Sequence, residues 1–438
     1  MNMTTRILFI AIILIISGCS KQQDNKESAL SSIQQTTVIK STSSPTGYEV
    51  KFCYQNPDAK RMRIKGEWLF SSLADGTMRT STNATPYEWQ NGYTLWGTKD
   101  WPVYEMSKDR TTGIWSITLP LPSGTYKYKY YIDGDQTDVN NLTGAIEASD
   151  PANPPYHRDA PLNDLKGEDT YSKVYVPYDS FKQNLSRDSS IEAPAKPEDR
   201  GTVSFVEVPS NVLDIPVHMA VYLPKGYDPA RAEAYPLLFL LHGGGGTESS
   251  WLNNGAANIL DNVIAEGKME PTVVIMPNGS NFSWKRENIV NSIENEILPY
   301  ATNHYNVSKD VNRRAMAGLS MGGATVMYTL INRPQLFNYY TAMSAPWTKD
   351  IILDFSNPIL KQKKIFVTVG LYDFVKVEAV LNPESRQAKG GEGSFYSFIF
   401  GMNDAGVPFK TQAEEPFGHQ WVFWREVLAH ISENFLWK

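Results

Sequence analysis

The chain has 438 residues, of which 41% are hydrophobic and 20% charged. The chain is longer than a typical single domain, so we expect two folded domains. With 41 Lys and Arg against 47 Asp and Glu, the formal net charge is -6, which excludes the basic surface that a nucleic-acid-binding protein presents.

The N-terminus carries a targeting segment. Arg6 precedes an apolar run at residues 7–16, which is too short to cross a bilayer as a helix, so residues 1–18 are predicted to be a signal peptide. The letters "ISGC" at residues 16–19 resemble a bacterial lipobox. The resemblance implies a lipid anchor to the membrane at Cys19, and Ser20 after it favours an outer-membrane lipoprotein; an ordinary signal peptide is the alternative. Residues 19–47, rich in Ser, Thr, Gln and Lys, are predicted to form a flexible tether.

Residues 48–161 have the pattern of a small all-β domain. Short alternating runs are separated by turn signals, as in "GIWSITLPLPSGTYKYKYYIDGDQ", which predicts a β-sandwich. This region resembles the immunoglobulin-like module at the N-terminus of glycogen-branching enzymes, a relative of carbohydrate-binding modules. Its tryptophans are expected to fill the core more often than to stack on sugars.

The pattern changes after a polar, proline-bearing linker predicted at residues 162–200. Buried-type strand runs such as "YPLLFLLHGGGG" and "PTVVIMPNG" alternate with helical segments across residues 201–438. Alternation of this kind predicts an α/β domain with a mostly parallel sheet covered by helices on both faces.

The stretch "AGLSMGGA" places Ser320 between a strand run and a helical segment. A sharp strand-to-helix turn of this form exposes a nucleophilic serine at the carboxyl edge of the sheet. The loop after an earlier strand, "LLHGGGG", supplies glycines whose amides can approach a substrate closely. We expect the oxyanion donors to be the amides of Gly244 and Met321, with Gly243 a close competitor.

A serine nucleophile needs a base and an acid, and the expected chain order is Ser, acid, His. Among six histidines, His419 has the required position, in a loop before the C-terminal helix. His242 precedes the glycine loop, where structural hydrogen bonding is expected. Asp373 ends the apolar run "KIFVTVGLYD" and is predicted to orient His419; a turn-forming aspartate is the alternative. No spacing indicates a metal site or a cofactor.

These motifs, together with "YLPKGYD", "VVIMPNG" and "GHQWVFW", follow one another as in the esterase D-like group of α/β-hydrolases, which the region 200–438 resembles. The resemblance implies an α/β-hydrolase fold, a Ser320, His419 and Asp373 triad, and hydrolysis of carboxylic esters. The group includes feruloyl and acetylxylan esterases, and a secreted chain with a sandwich ahead of the esterase is similar to feruloyl esterases that act on plant cell-wall polysaccharide.

Two alternatives remain open for the function. Enterochelin-type siderophore esterases also carry an N-terminal sandwich, and a non-catalytic carbohydrate-binding lipoprotein is an alternative of another class. Aromatic side chains near the expected crevice are candidates for contact with an acyl group or for packing; they are Trp251, Trp284, Trp347 and Trp421.

Overall fold

The computed structural model describes residues 35–68, 70, 101–157, 167–183, 189–346, 351–371, 373, 375, 394–414 and 417–438. The predicted signal peptide, Cys19 and Trp347 lie outside these ranges. No helix within them is long and apolar enough to cross a membrane.

Two antiparallel sheets form the N-terminal part of the described chain. The first has the strand order β1, β2, β6, β5; in the second β4, β3, β7 and β8 are neighbours, and β9 also pairs with β7. The side chains of both sheets share one apolar core, which includes Phe52, Ile64, Trp115 and Tyr128. The strands are β1 Thr37–Lys40, β2 Tyr48–Gln55, β3 Met62–Gly66, β4 Val103–Glu105, β5 Ser107–Lys108, β6 Ile114–Leu119, β7 Gly124–Ile132, β8 Ile146–Ala148 and β9 Ser172–Val176.

The structure corrects the expected limits of this domain at both ends. Strand β1 pairs with β2, although it falls in the segment predicted to be a flexible tether. Strand β9 pairs with β7, although it falls in the predicted linker. Both strands are short and lie in polar surroundings, so composition hides them, and their remote partners in the sheet stabilise them instead.

The tryptophans of this sandwich that the structure describes are buried. Trp68, Trp101 and Trp115 are 1%, 4% and 6% exposed, so their ring faces pack inside the protein and do not offer a flat platform for sugars. Glycan binding by the sandwich stays a prediction.

The second unit is built on a mixed sheet, in which the described residues form eight strands. Their order is β10, β11, β13, β12, β14, β15, β16, β17. Strands β10 and β11 run antiparallel to their neighbours, whereas the six strands β12 to β17 run parallel to one another. The strands are β10 Thr202–Val208, β11 Val217–Leu223, β12 Leu237–Leu241, β13 Val273–Pro277, β14 Arg314–Leu319, β15 Tyr339–Met343, β16 Lys364–Gly370 and β17 Lys410–Glu414.

Helices cover both faces of this sheet, as the alternation of strands and helices predicts. Along β12, Leu237 and Phe239 belong to one apolar cluster and Leu238 and Leu240 to another on the opposite face, because successive side chains of a strand point to opposite sides. The arrangement is that of an α/β-hydrolase. The helices are α1 Ser250–Asn253, α2 Ala256–Ala265, α3 Arg286–Ser292, α4 Leu298–His304, α5 Met321–Asn332, α6 Ser394–Asp404 and α7 Trp421–Asn434.

The two units meet through buried polar contacts. The Arg425 Nε atom on α7 lies 2.9 Å from Oε2 of Glu192 in the connecting segment, and its Nη2 donates to the Thr125 carbonyl on β7 at 3.2 Å. Lys173 on β9 donates to the Leu252 carbonyl at 2.7 Å. Glu192 and Lys173, both in the segment predicted to be a linker, therefore contact the hydrolase unit.

Candidate active site

Ser320 makes the connection between β14 and α5. The strand ends at Leu319 and the helix begins at Met321, with Ser320 between them at φ 50° and ψ -119°. This backbone conformation is strained for a residue with a Cβ atom. The Ser320 amide donates to the Met343 carbonyl at 2.9 Å, and the Ser320 carbonyl accepts from the Ala324 amide at 2.9 Å. The neighbouring elements thus hold the strained residue in place, with its side chain half-buried.

Two glycines allow this turn to be so tight. A Cβ atom at Gly318 would lie 2.7 Å from the carbonyl carbon of Gly322, and a Cβ at Gly322 would lie 2.8 Å from the Leu241 carbonyl oxygen. Both separations are closer than real Cβ contacts, so a larger residue at either position would push the helix off the sheet.

His419 and Asp373 lie beside Ser320, as the motifs predict. Nε2 of His419 is 3.0 Å from the Ser320 Oγ, and Nδ1 is 3.0 Å and 3.1 Å from the two carboxylate oxygens of Asp373. The Asp373 side chain is fully buried, and Oδ1 also accepts from the Val375 amide at 2.9 Å. Because a carboxylate can only accept, the proton of the neutral imidazole is on Nδ1 and Nε2 can accept from the serine hydroxyl.

Trp424 packs against His419, a contact that no motif in the sequence predicts. The two rings meet edge to face, with centroids 4.9 Å apart and planes at 90°. The indole Nε1 of Trp424 donates to the Ser344 Oγ at 3.0 Å, and Ser344 itself has φ 49° directly after β15. The aromatic run "WVFW" after His419 was the available signal, but only the folded chain shows which of its rings faces the imidazole.

The glycine loop after β12 lies against Ser320. A Cβ at Gly243 would be 3.0 Å from the Ser320 Cβ, and a Cβ at Gly244 would be 3.4 Å from the Met321 Cγ. The Met321 amide belongs to the first residue of α5 and so has no acceptor within the helix. The structure therefore brings the backbones of Gly243, Gly244 and Met321 together beside the serine.

His242 fixes the start of this loop. Its Nδ1 lies 2.7 Å from the Gly243 carbonyl oxygen, and its Nε2 accepts from the Gly279 amide at 3.0 Å. These partners assign the proton to Nδ1. Burial lowers the pKa of His242 to about 4, against the opposing effect of its hydrogen bond to Gly243. The imidazole is therefore neutral at pH 7 and acts as a structural link, as the sequence predicts.

The structure separates the aromatic candidates. Trp251 is 1% exposed and its indole donates to the Leu241 carbonyl at 3.0 Å; the expectation that it contacts substrate is therefore wrong, because it fills the core under α1. Trp284 and Trp421 are half-buried. Trp284 packs edge-on against His242, which precedes the glycine loop. Trp421 packs against Trp424, and Trp424 in turn packs against His419.

Within the described ranges, no group of three or more His, Cys, Asp and Glu side chains is placed so that it could hold a metal ion. The chemistry of the site is that of a buried carboxylate, an imidazole and a hydroxyl in line.

A comparison with protein families matches residues 210–435 to the family described as "Putative esterase". The match spans just over half of the chain and contains Ser320, Asp373 and His419. The chain belongs to this esterase family. The description of this family is that of enzymes that hydrolyse carboxylic esters.

Two curated proteins that are similar to this chain are named as xylanases. The chain is 34% identical over 269 residues to an endo-1,4-beta-xylanase/feruloyl esterase of Xylanibacter ruminicola, covering 56% of this chain and 34% of that protein. It is 29% identical over 210 residues to endo-1,4-beta-xylanase Y of Acetivibrio thermocellus, covering 41% of this chain and 19% of that protein. The chain thus spans about a third or less of the length of these relatives.

Among solved structures, the enterobactin esterase of Shigella flexneri matches almost the whole chain. It is 14% identical with a TM-score of 0.51, and the match covers 93% of this chain and 98% of the other. At this identity the likeness shows a shared fold alone.

Proposed function

We propose that this esterase uses Ser320 as nucleophile, His419 as general base and Asp373 as the acid that orients the imidazole. The observation that carries the proposal is the unbroken line of hydrogen-bond distances from the Ser320 Oγ through His419 to Asp373. The strained turn at Ser320 supports the same assignment, because backbone strain is stored at functional sites.

The reaction follows from this geometry in two steps. Nε2 of His419 takes the proton of Ser320 as Oγ attacks the ester carbonyl carbon, and the amides of Gly244 and Met321, with Gly243 as competitor, hold the oxyanion. His419 returns the proton to the departing alcohol, which leaves an acyl ester on Ser320. A water then gives its proton to His419, attacks the acyl carbon and releases the acid, and His419 returns that proton to Ser320.

The substrate we infer is an acyl ester of plant cell-wall polysaccharide, with a feruloyl group first and an acetyl group second. The support is the identity of 34% to a protein that combines xylanase and feruloyl esterase activities. A phenolic acyl group would find aromatic partners in the half-buried Trp284, which packs against His242, and Trp421, which packs against Trp424.

A panel of esters tests this proposal. The chain lacking residues 1–19 should release ferulate from methyl ferulate or acetate from acetylated xylan. Ser320→Ala should keep the fold and lower turnover about a thousandfold or more. Near-normal turnover in Ser320→Ala would refute the nucleophile. Cleavage of a catechol-siderophore ester alone would move the substrate to iron carriers, and retention of xylan without reaction with an organophosphonate would indicate a non-catalytic binding protein.

A further inference from the structure

A carboxylate from outside the hydrolase unit reaches the glycine loop. Asp169 lies in the short 3-10 helix Gly167–Thr170, directly before β9 of the sandwich, and is 2% exposed. Its Oδ2 accepts from the Thr247 amide at 3.1 Å, from the Thr247 hydroxyl at 2.7 Å and from the Ser250 hydroxyl at 2.7 Å. One oxygen atom thus receives three hydrogen bonds across the boundary between the two units.

These contacts hold the C-terminal end of the glycine loop, the first residues of which lie against Ser320. Thr247 follows the last glycine, Gly246, and the Thr247 amide also donates to the Ser250 Oγ at 2.8 Å. The Gly246 carbonyl accepts from the Ser280 hydroxyl at 2.8 Å. His242 fixes the beginning of the loop, so Asp169 supplies the second anchor and the four glycines between are held at both ends.

The strength of this anchor follows from charge and burial. Hydrogen bonds to an ionised carboxylate are about twice as strong as neutral ones, and burial protects them from competition by water. Without such an anchor, a run of four glycines has more backbone freedom than any other sequence, and the positions of its amides would spread.

We propose that Asp169 is a positioning residue for the oxyanion site, so that the sandwich and its connecting segment form part of the catalytic unit of the esterase. This inference rests on the proposed function of Ser320 and of the loop amides. Asp169 has no contact with a reacting atom; it acts through Thr247 and Ser250 on the placement of the Gly243 and Gly244 amides.

The same sandwich also contacts the side of the site that carries the base. Nζ of Lys127 on β7 lies 5.7 Å from the centroid of the Trp421 ring. Trp421 packs against Trp424, with centroids 5.2 Å apart, and Trp424 packs against His419. The sandwich therefore supports both loops that carry the proposed machinery.

The test compares two variants of the purified chain on 4-nitrophenyl acetate, which contains no carbohydrate. Asp169→Ala should lower kcat by about 10- to 100-fold with little change in KM, because misplaced oxyanion donors weaken binding of the transition state more than of the substrate. Asn262→Ala is the matched control. Asn262 donates from α2 to the Ile191 and Ala193 carbonyls at 2.9 Å each, so its loss removes hydrogen bonds between the same two regions without touching the loop, and kcat should stay near that of the unmodified chain.

A double-mutant cycle shows whether Asp169 acts through the loop. Thr247→Val removes one of the hydroxyl donors, and once Asp169 is absent this change should have little further effect on kcat. Additive losses would overturn the inference, as would an Asp169→Ala kcat equal to that of Asn262→Ala. If Asp169→Ala does not fold, Asp169→Asn keeps the shape and one acceptor, and should give a smaller loss of kcat in the same direction; an unchanged kcat in that variant would also overturn it.

Ser320→Ala separates the two proposals. An inactive Ser320→Ala with a fully active Asp169→Ala refutes only the positioning role. An active Ser320→Ala refutes the proposed mechanism itself.

Discussion

Replacing Arg425 by Met should destabilise the protein far more than the loss of a surface charge would. The Arg425 Nε atom is 2.9 Å from the Glu192 Oε2, and the two side chains are 3% and 0% exposed. Removal of one partner of a buried ion pair leaves the other charge in a medium of low polarity, which costs about 3–5 kcal/mol. Arg425→Met also removes the hydrogen bond to the Thr125 carbonyl, so the loss should fall on the contact between the two units.

Urea unfolding at pH 7, followed by tryptophan fluorescence and by far-ultraviolet circular dichroism, measures this loss. Lys268→Met is the control. Lys268 lies 2.9 Å from Glu433 with side chains 47% and 26% exposed, and its loss should cost less than about 1 kcal/mol. Arg425→Met combined with Glu192→Gln should recover part of the stability, because the charge of Glu192 is then absent, while the buried Glu67 carboxylate that also interacts with Arg425 remains.

Two outcomes would refute this reasoning. If Arg425→Met loses no more stability than Lys268→Met, the ion pair is not buried in solution. If the double variant is as unstable as the two single losses added together, the cost comes from lost packing of the side chains and not from an unpaired charge.

Three further predictions concern the triad, the glycine loop and the lipid anchor predicted at Cys19. Asp373→Asn should lower kcat by about a thousandfold or more with the fold intact, because the amide favours the wrong tautomer of His419; steady-state kinetics with a small loss would contradict the role. Below pH 6.5 the unfolded chain protonates His242, whereas the folded chain resists until about pH 4, so stability should fall by up to about 3 kcal/mol as the pH drops through this window. His242→Gln should lose that part of the pH dependence in urea titrations from pH 4 to 7, and an unchanged slope would argue against it. Cys19→Ala should abolish incorporation of labelled palmitate and move the protein out of the membrane fraction; continued labelling would point to another site of lipid attachment.

The sequence by itself was sufficient to predict the parts of the site that depend on local geometry. Gly318 and Gly322 around Ser320 indicate a turn that only small residues permit, and the structure has Ser320 at that turn with φ 50°. Strand alternation along β12 and its neighbours predicts a sheet buried on both faces, because periodicity of side chains is a property of each strand alone. Asp373 and His419 were predicted on a different ground, the chain order of Ser, acid and His in folds of this kind.

Contacts between remote segments were decided only by the tertiary structure. Strands β1 and β9 are short and flanked by polar segments, and they exist because β2 and β7 supply their hydrogen-bond partners. Trp251 looks like a substrate contact in the sequence, but the packing of α1 buries it against Leu241.

Asp169 gives the clearest case of this division. It is an acidic residue in a stretch that reads as linker, and nothing near it in sequence points to a site. The three hydrogen bonds that its Oδ2 accepts come from residues 78 and 81 positions further along the chain. A sequence pattern encodes which side chains share a face of a helix or strand, whereas a carboxylate and its distant donors meet only after both units have folded and packed against each other.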